Sequence, residues 1–417
     1  MLLSKCQDIR PLTSLTSSNF FNSPPKKQTT MLTQIINAKI LTPQGWLKNG
    51  SIILRDRKIL EVTNCDLAVI GADLIDAKGM YVVPGFIDMH VHGGGGRDFQ
   101  EGTPEAFRTA VEAHAKHGTT SIFPTLSSST VPMIEKAVKT CSQLMQDKDS
   151  PILGLHLEGH YLSPNKAGAQ LPEWIKNPDP NEYIPIVEHS DCLTRWDAAP
   201  ELPGALQFGR YCAEKGVLPS IAHTNAEYDD VKAAFEAGFT HVTHFYNAMP
   251  GFHNKMGYKY EGTVESVYLI DDMTIECIAD GIHVPPTILR MAYKIKGVER
   301  MALITDALAV AAAGPDAKAF DDRVIIEDGV CKLADRSALA GSIATSDRLV
   351  RTMVTQAEVP LEDAVRMASE TPAHIMGVFD RKGALARGKD ADVLILDEKL
   401  KVRCVWQMGK IIENSLF

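Results

Sequence analysis

Between residues 84 and 306 the sequence alternates eight times between a short apolar stretch and a polar or helix-like stretch. We predict that the apolar stretches are strands at residues 85–90, 120–124, 152–158, 193–199, 218–223, 241–245, 274–279 and 301–306. Helices are predicted between most of them, for example at residues 103–117, 131–146, 205–215 and 229–237. Eight alternating β and α units predict an α/β fold, a (β/α)8 barrel of the TIM type.

An open, doubly wound sheet is the alternative for such an alternation. It normally carries a glycine-rich phosphate turn after its first strand and an acidic, ribose-binding residue further on. Here the glycines at 93–96 follow His90 and His92 instead, and this order fits the open sheet poorly.

The segments that flank the predicted barrel, residues 84–384, have the pattern of short strands. Residues 34–40, 50–55, 58–63 and 74–76 are separated by turn residues, and residues 388–397 and 401–412 return to a strand pattern. We therefore predict a small β-sandwich domain built from both chain ends, with residues 31–83 as its first part and 385–417 as its second. Helices at 346–356 and 361–370 are predicted to cover the barrel.

Residues 1–30 differ from the rest of the chain. Their last part is polar and contains two prolines, and Met31 stands just before the first predicted strand. We predict a disordered leader, or an upstream start that is not part of the fold.

Composition and charge exclude several classes of function. The chain is 45% hydrophobic and 23% charged, as ordinary globular proteins are, and it has no apolar run long enough to span a membrane. Its formal net charge of −9 argues against a nucleic acid or an anionic membrane as the main partner. None of the eight cysteines forms a Cys-X-X-Cys pair, and this pattern is typical of a reduced, cytoplasmic protein.

Side chains that commonly bind metals recur where the predicted strands end. His90 and His92 close the first strand with an i, i+2 spacing, which places both imidazoles on one side of a strand. Because barrel active sites form at the C-terminal strand ends, all such side chains should converge. The other strand ends contribute Glu158, His223, His244 and Asp306.

Imidazoles and one carboxylate together suit a divalent ion such as zinc, iron, manganese or nickel. Such an ion lowers the pKa of a bound water from about 15.7 to about 7, and a nearby carboxylate can then move the proton. Asp306 stands alone at the last strand end, which suits that second role. One histidine at a strand end is commonly only a packed polar residue, whereas this whole set predicts a metal-dependent hydrolase.

Several runs resemble those of the N-acetylglucosamine-6-phosphate deacetylases, a family of the amidohydrolase superfamily. The most specific is Thr-His-Phe-Tyr-Asn-Ala-Met-Pro at residues 243–250, whereas the His-X-His motif is shared by the whole superfamily. The resemblance extends over roughly residues 36–412. The other matching runs lie at residues 84–93, 154–159, 222–226, 278–284, 303–307, 339–342 and 388–393.

The resemblance implies a role for each matching residue. Glu158, His223 and His244 would hold the principal metal ion, most simply zinc, and His90 and His92 match a pair that holds a second ion in some members. Asp306 would be the general base and acid that protonates the departing amine when the acetamide is hydrolysed. The implied contacts to the sugar and its acetyl group are Ala169, Asn247, Ala248, His283, Leu339, Ala340 and Gly341.

The chain departs from the family pattern at two positions. The family often has an arginine for the sugar phosphate in the loop after residue 250, acting within one subunit or across a homodimer, and a gap-free count places Lys255 there. Lysine binds phosphate as a point charge and not as a bidentate fork. His160 stands where the family has proline; it is a further ligand, a substrate contact or, as we favour, a loop variant.

The resemblance therefore implies acetate release from N-acetylglucosamine 6-phosphate. The galactosamine epimer, an unphosphorylated N-acetylhexosamine and the ring substrate of a cyclic amidase remain alternatives. Cyclic amidases commonly use a modified lysine on the fourth strand, and residues 193–199 contain no lysine. A catalytically dead relative would have lost ligands, and every expected ligand is present here.

Overall fold

The computed structural model describes residues 31–65, 67–314 and 317–416, so the predicted leader lies outside the described residues. The strands are Leu32–Thr42 (β1), Gly45–Arg55 (β2), Lys58–Thr63 (β3), Asp73–Asp76 (β4), Tyr81–Pro84 (β5), Phe86–Val91 (β6), Gly93–Gly94 (β7), Arg97–Asp98 (β8), Thr119–Leu126 (β9), Leu155–Tyr161 (β10), Leu193–Ala198 (β11), Leu218–Ile221 (β12), His241–Val242 (β13), His253–Lys255 (β14), Tyr258–Tyr260 (β15), Thr274–Ile278 (β16), Met301–Ile304 (β17), Val324–Glu327 (β18), Val330–Leu333 (β19), Val393–Leu396 (β20), Val402–Gln407 (β21) and Lys410–Asn414 (β22).

The α-helices lie between and after the barrel strands. They are Pro104–Ala115 (α1), Val131–Met145 (α2), Pro180–Glu188 (α3), Ala205–Glu214 (α4), Tyr228–Glu236 (α5), Thr263–Leu269 (α6), Pro286–Lys296 (α7), Ser346–Thr355 (α8), Leu361–Met367 (α9) and Glu370–Ile375 (α10). Among the described residues, none of these helices is long and apolar enough to cross a membrane.

Eight parallel strands form the barrel predicted from the sequence. Their order is β17-β16-β13-β12-β11-β10-β9-β6. The ring is completed by a hydrogen bond of 2.9 Å from the Asp306 N–H, just after β17, to the His90 carbonyl oxygen on β6. Every residue of β6 and β9 is buried, as expected of parallel strands that are covered on both faces. The predicted α/β barrel is therefore confirmed.

The second sheet joins both ends of the described chain. Its strands pair in the order β22-β21-β20-β5-β1-β2-β3, with β4 added beside β1. A separate apolar core, which includes Ile40, Val82 and Trp406, fills this part of the molecule. Pro84 ends β5 and Phe86 begins β6, so the small β domain leads directly into the barrel. The exact residues at which one domain gives way to the other stay a prediction.

The helix predicted at 361–370 is two helices, α9 and α10, separated by Ser369 with φ −140° and ψ −68°. The Ser369 hydroxyl donates to the Val365 carbonyl oxygen at 2.7 Å, a side-chain bond that competes with regular helix geometry. Two hairpins, β14–β15 and β18–β19, were not predicted, because their strands are only three or four residues long.

Candidate active site

A cavity of about 540 Å³ lies at the C-terminal ends of the barrel strands. It contains every predicted site residue except two: His90, which is fully buried behind the wall, and Lys255, which lies on the hairpin β14–β15. The predicted residues that line it are His92, Glu158, Ala169, His223, His244, Asn247, Ala248, His283, Asp306, Leu339, Ala340 and Gly341.

Three predicted metal ligands form the first group. Glu158 Oε1 lies 3.1 Å from His223 Nε2 and 2.9 Å from His244 Nε2. The two imidazole nitrogens are 3.1 Å apart. Residues from β10 and from the ends of β12 and β13 thus meet at one point, as the sequence predicted.

The second group shares Glu158 with the first. His92 Nε2 lies 3.3 Å from Glu158 Oε2, and His90 Nε2 lies 3.3 Å from His92 Nε2. Asp306 Oδ1 is 3.1 Å from His92 Nε2 and 3.5 Å from His90 Nε2. Both groups have the geometry of side chains that can hold a metal ion, and Glu158 belongs to both. Its Oε1, which faces His223 and His244, also lies 3.8 Å from His90 Nε2.

Hydrogen bonds at the Nδ1 atoms orient the imidazole rings towards the two groups of predicted metal ligands. His223 Nδ1 lies 2.7 Å from the Lys166 carbonyl oxygen, and His90 Nδ1 lies 2.8 Å from Glu276 Oε1. Both partners only accept hydrogen bonds, so each Nδ1 carries the proton of the neutral ring and each Nε2 carries a lone pair. His92 Nδ1 faces Ser127 Oγ at 3.2 Å.

The donor set fits a divalent cation. Glu158 Oε1, His223 Nε2 and His244 Nε2 lie within 3.1 Å of one another, and a neutral His223 has no proton to offer at Nε2. Lone pairs held this close repel one another unless a cation or a proton lies among them. Two or three imidazoles with a carboxylate are the ligands that zinc and similar ions prefer.

Electrostatics keeps both carboxylates ionised. Burial by itself raises the pKa of Glu158, but the surrounding imidazoles of His223, His244 and His92 outweigh it and hold that pKa well below its usual value. Burial acts on Asp306 in the same way, and the nearby His90 and His92 outweigh it, so this pKa is lowered as well. The carboxylates of Glu158 and Asp306 are therefore both negatively charged at neutral pH.

Three site residues have a left-handed backbone, which explains why three strands end sooner than predicted. The φ angles are 42° at His223, 28° at His244 and 48° at Asp306. Such angles are costly for residues other than glycine and cannot continue a strand, so β12 ends at Ile221, β13 at Val242 and β17 at Ile304. These turns direct the three side chains into the cavity. Strained backbone of this kind is commonly found at sites where side chains must be held in one position.

The sugar-binding residues predicted from the resemblance lie on the cavity wall. His283 Nδ1 is 2.8 Å from Asp280 Oδ2, and His283 Nε2 is buried without a hydrogen-bond partner among the described residues. That free nitrogen is available to a ligand in the cavity. Gly341 has φ 74°, and a Cβ there would lie 3.0 Å from the Asp306 carbonyl oxygen, so this position needs glycine.

Two predicted residues lie apart from the metal-binding groups. His160 Nδ1 is 3.1 Å from the Ser129 carbonyl oxygen, and its Nε2 is 2.5 Å from Glu182 Oε1, so neither nitrogen reaches a ligand group. Lys255 forms an ion pair with Glu227 and is half exposed.

Sequence reasoning missed the buried polar network beneath the site. Arg195 on β11 donates to both oxygens of Glu276 on β16 at 2.5 and 2.7 Å, and to Thr243 Oγ1 at 2.6 Å. All are fully buried, and Glu276 is also the partner of His90. Burial raises the pKa of Glu276, but the Arg195 charge outweighs it and holds that pKa well below its usual value.

Replacing Arg195 with methionine should lower the free energy of unfolding by about 3–5 kcal/mol, because Glu276 would be left as an unpaired buried charge. Urea denaturation followed by circular dichroism measures this loss. Arg300→Met is the matched control, since Arg300 is exposed and 3.9 Å from Asp272, and such pairs contribute about 0–1 kcal/mol. Equal small losses in both variants would contradict the importance assigned to the buried pair.

Comparison with known proteins identifies the family. Residues 81–412 match the amidohydrolase family. N-acetylglucosamine-6-phosphate deacetylase of Haemophilus influenzae is 31% identical over 384 residues, which is 91% of this chain and 99% of the relative. N-acetylgalactosamine-6-phosphate deacetylase of Escherichia coli O157:H7 is 32% identical over 387 residues, with 91% of this chain and 99% of the relative covered. The chain therefore belongs to the amidohydrolase family.

A solved structure has the same fold over nearly the whole described chain. It is a mutant N-acetyl-D-glucosamine-6-phosphate deacetylase from Mycobacterium smegmatis in complex with N-acetyl-D-glucosamine-6-phosphate. The two chains are 30% identical with a TM-score of 0.85, and the match covers 92% of this chain and 100% of the other. The barrel with its small β domain is thus also the fold of that deacetylase.

Proposed function

We propose that this chain is a metal-dependent deacetylase that hydrolyses N-acetylglucosamine 6-phosphate to glucosamine 6-phosphate and acetate. The observation that carries the proposal is the meeting of Glu158, His223 and His244 beside Asp306, in a cavity at the end of the barrel. The relatives that match over nine-tenths of the chain act on amino sugar phosphates, and this supports the substrate class.

The metal-binding groups support one or two divalent ions, and zinc suits their nitrogen and oxygen donors best. Glu158, His223 and His244 would hold one ion, and His90, His92 and Glu158 would hold a second. A bound ion supplies Lewis acidity, which polarises the acetamide carbonyl and lowers the pKa of water.

Asp306 is the residue that moves protons in this proposal. Its carboxylate is ionised and lines the cavity, so it can accept a proton from the water that attacks the acetyl carbon. The same proton then passes to the amine nitrogen as the C–N bond breaks. The water oxygen ends in acetate, and the amino sugar leaves as the second product.

The remaining predicted residues would hold the sugar. Leu339, Ala340 and Gly341 lie on one wall of the cavity, where they can enclose the acetyl group. Asn247, Ala248 and Ala169 also line the cavity and would contact the sugar ring. His283 would contact the substrate near its acetamide, through the Nε2 that has no protein partner among the described residues.

The phosphate contact is proposed to come from Lys255 of a partner subunit in a homodimer. Lys255 does not line the cavity of its own chain, and the hairpin that carries it exposes large apolar side chains. Phe252, Met256 and Tyr258 are 64%, 95% and 71% exposed. An exposed apolar patch of this kind is typical of a protein interface, which supports a second copy as its partner.

Lys255→Ala should raise KM for the phosphorylated sugar about tenfold or more while kcat changes little, because a charged hydrogen bond to phosphate contributes about 1.5–3 kcal/mol. Lys259→Ala is the matched control on the same hairpin; its ammonium lies over the Phe252 ring. Steady-state kinetics with and without the 6-phosphate measures both. Equal changes in KM for the two sugars would reject the phosphate role of Lys255.

The epimer N-acetylgalactosamine 6-phosphate is the second candidate substrate, because a relative that acts on it matches as well as the glucosamine enzymes do. Acetate release from both epimers, each with and without the 6-phosphate, tests the function. The highest kcat/KM should fall on N-acetylglucosamine 6-phosphate. Absence of acetate release from all four sugars by metal-loaded protein would overturn the proposal and leave a cyclic amidase or a dead relative.

A cytoplasmic location is also proposed. Every cysteine in the described part of the chain is free, and most of them are buried. Free thiols are typical of reducing compartments.

A further inference from the structure

A buried glutamine beside the metal-binding groups has no role in the reaction described above. Gln170 is 8% exposed and follows the short loop after β10. Its Nε2 donates to Glu158 Oε2 at 2.6 Å, and its Oε1 accepts from the Ser128 N–H at 2.8 Å. A carboxylate only accepts and a backbone N–H only donates, so these two partners fix the orientation of the amide.

The carboxylate of Glu158 needs such a partner. The last torsion of a glutamate side chain is broad, so the covalent structure does not set the plane of the carboxylate. Here Oε1 faces His223 and His244 and lies 3.8 Å from His90 Nε2. Oε2 faces His92 at 3.3 Å and accepts the hydrogen bond from Gln170, which therefore holds Oε2 on the side of His92.

The loop that carries Gln170 also contacts His223, another member of the first group. The Lys166 carbonyl oxygen holds His223 Nδ1 at 2.7 Å. Gly168 lies under the same ring, where an added Cβ would be 3.3 Å from His223 Cε1. Residues 166–170 therefore contact two predicted ligands, Glu158 and His223, although this loop is part of neither β10 nor β12.

We propose that Gln170 is a positioning residue that sets the plane of the Glu158 carboxylate, with Oε1 towards His223 and His244 and Oε2 towards His92. Its neutral amide donates one hydrogen bond to Oε2 and adds no charge beside the residues that would hold a second ion, His90, His92 and Glu158. A lysine there would compete with that ion for Oε2, and a glutamate would repel Glu158. The proposal rests on the metal-dependent function proposed above.

Gln170→Met tests the proposal, because methionine has nearly the same shape and cannot donate to Glu158. We expect the affinity for zinc to fall about 10–100-fold at one or both positions, as is typical when the outer partner of a metal ligand is removed. Chelator competition and elemental analysis measure affinity and stoichiometry without any substrate. In cobalt-loaded protein the visible absorption should change, and kcat should fall while KM stays near its original value.

Gln100→Leu is the matched control. Gln100 donates to Ser129 Oγ at 2.9 Å in the same loop as Ser128, but it has no contact with Glu158. It should leave zinc stoichiometry and the cobalt spectrum unchanged. The proposal is overturned if Gln170→Met keeps the original zinc affinity, if Gln100→Leu loses as much, or if the unaltered protein takes up no zinc. If Gln170→Met loses zinc while the unaltered, zinc-loaded protein releases no acetate from any sugar, the deacetylase function is rejected and the positioning role stands.

Discussion

Replacing Asp306 with asparagine should lower kcat by about 10²–10⁴-fold, the contribution typical of a positioned general acid or base. Asparagine has the same shape but cannot accept the proton of the attacking water. The bound metal should remain, because the first group consists of Glu158, His223 and His244 and does not include Asp306. Steady-state acetate release, measured together with the metal content of each preparation, checks both expectations.

Asp321→Asn is the control for this prediction. Asp321 also lines the cavity, but its carboxylate accepts hydrogen bonds from Arg323, with the shortest at 2.6 Å. Its replacement should change kcat far less. If Asp306→Asn kept a turnover close to that of the original protein, Asp306 would not be the proton carrier, and another cavity residue would have to take that role.

The barrel and its metal-binding groups could be predicted because both follow from a simple rule. Parallel strands have their carboxyl ends on one side of the barrel, so residues at those ends must lie near one another. Glu158, His223 and His244 were identified in this way, and the structure brings their side-chain atoms within 3.1 Å.

The contacts that orient those groups could not be predicted, because the residues that make them do not stand at a common position such as the strand end. Arg195 and Glu276 are 81 residues apart, and Ser128 and Gln170 are 42 residues apart. Which polar residues meet inside a barrel depends on strand order and on the direction of each side chain. Lys255 shows the same limit, since a gap-free count selected this residue but could not show that it lies on a hairpin outside the cavity.

Glu158→Ala should remove the bound metal, because this carboxylate is the only side chain shared by both metal-binding groups in the described residues. The affinity for the metal should fall by more than the factor of about 10–100 that is typical when the outer partner of a ligand is lost, because a direct ligand and its negative charge are both removed. Acetate release should be lost with the metal. Elemental analysis measures occupancy, and thermal unfolding by circular dichroism shows whether the variant is folded.

Glu182→Ala is the matched control, because Glu182 is also a partly buried glutamate that contacts a histidine. Its Oε1 lies 2.5 Å from His160 Nε2, away from both groups, so this variant should keep its metal. If Glu182→Ala lost its metal and Glu158→Ala did not, the metal site would lie at His160, and His160 would not be a loop variant. Full occupancy in a folded Glu158→Ala variant would show that Glu158 is not a ligand, and the hydrolase proposal would lose its main support.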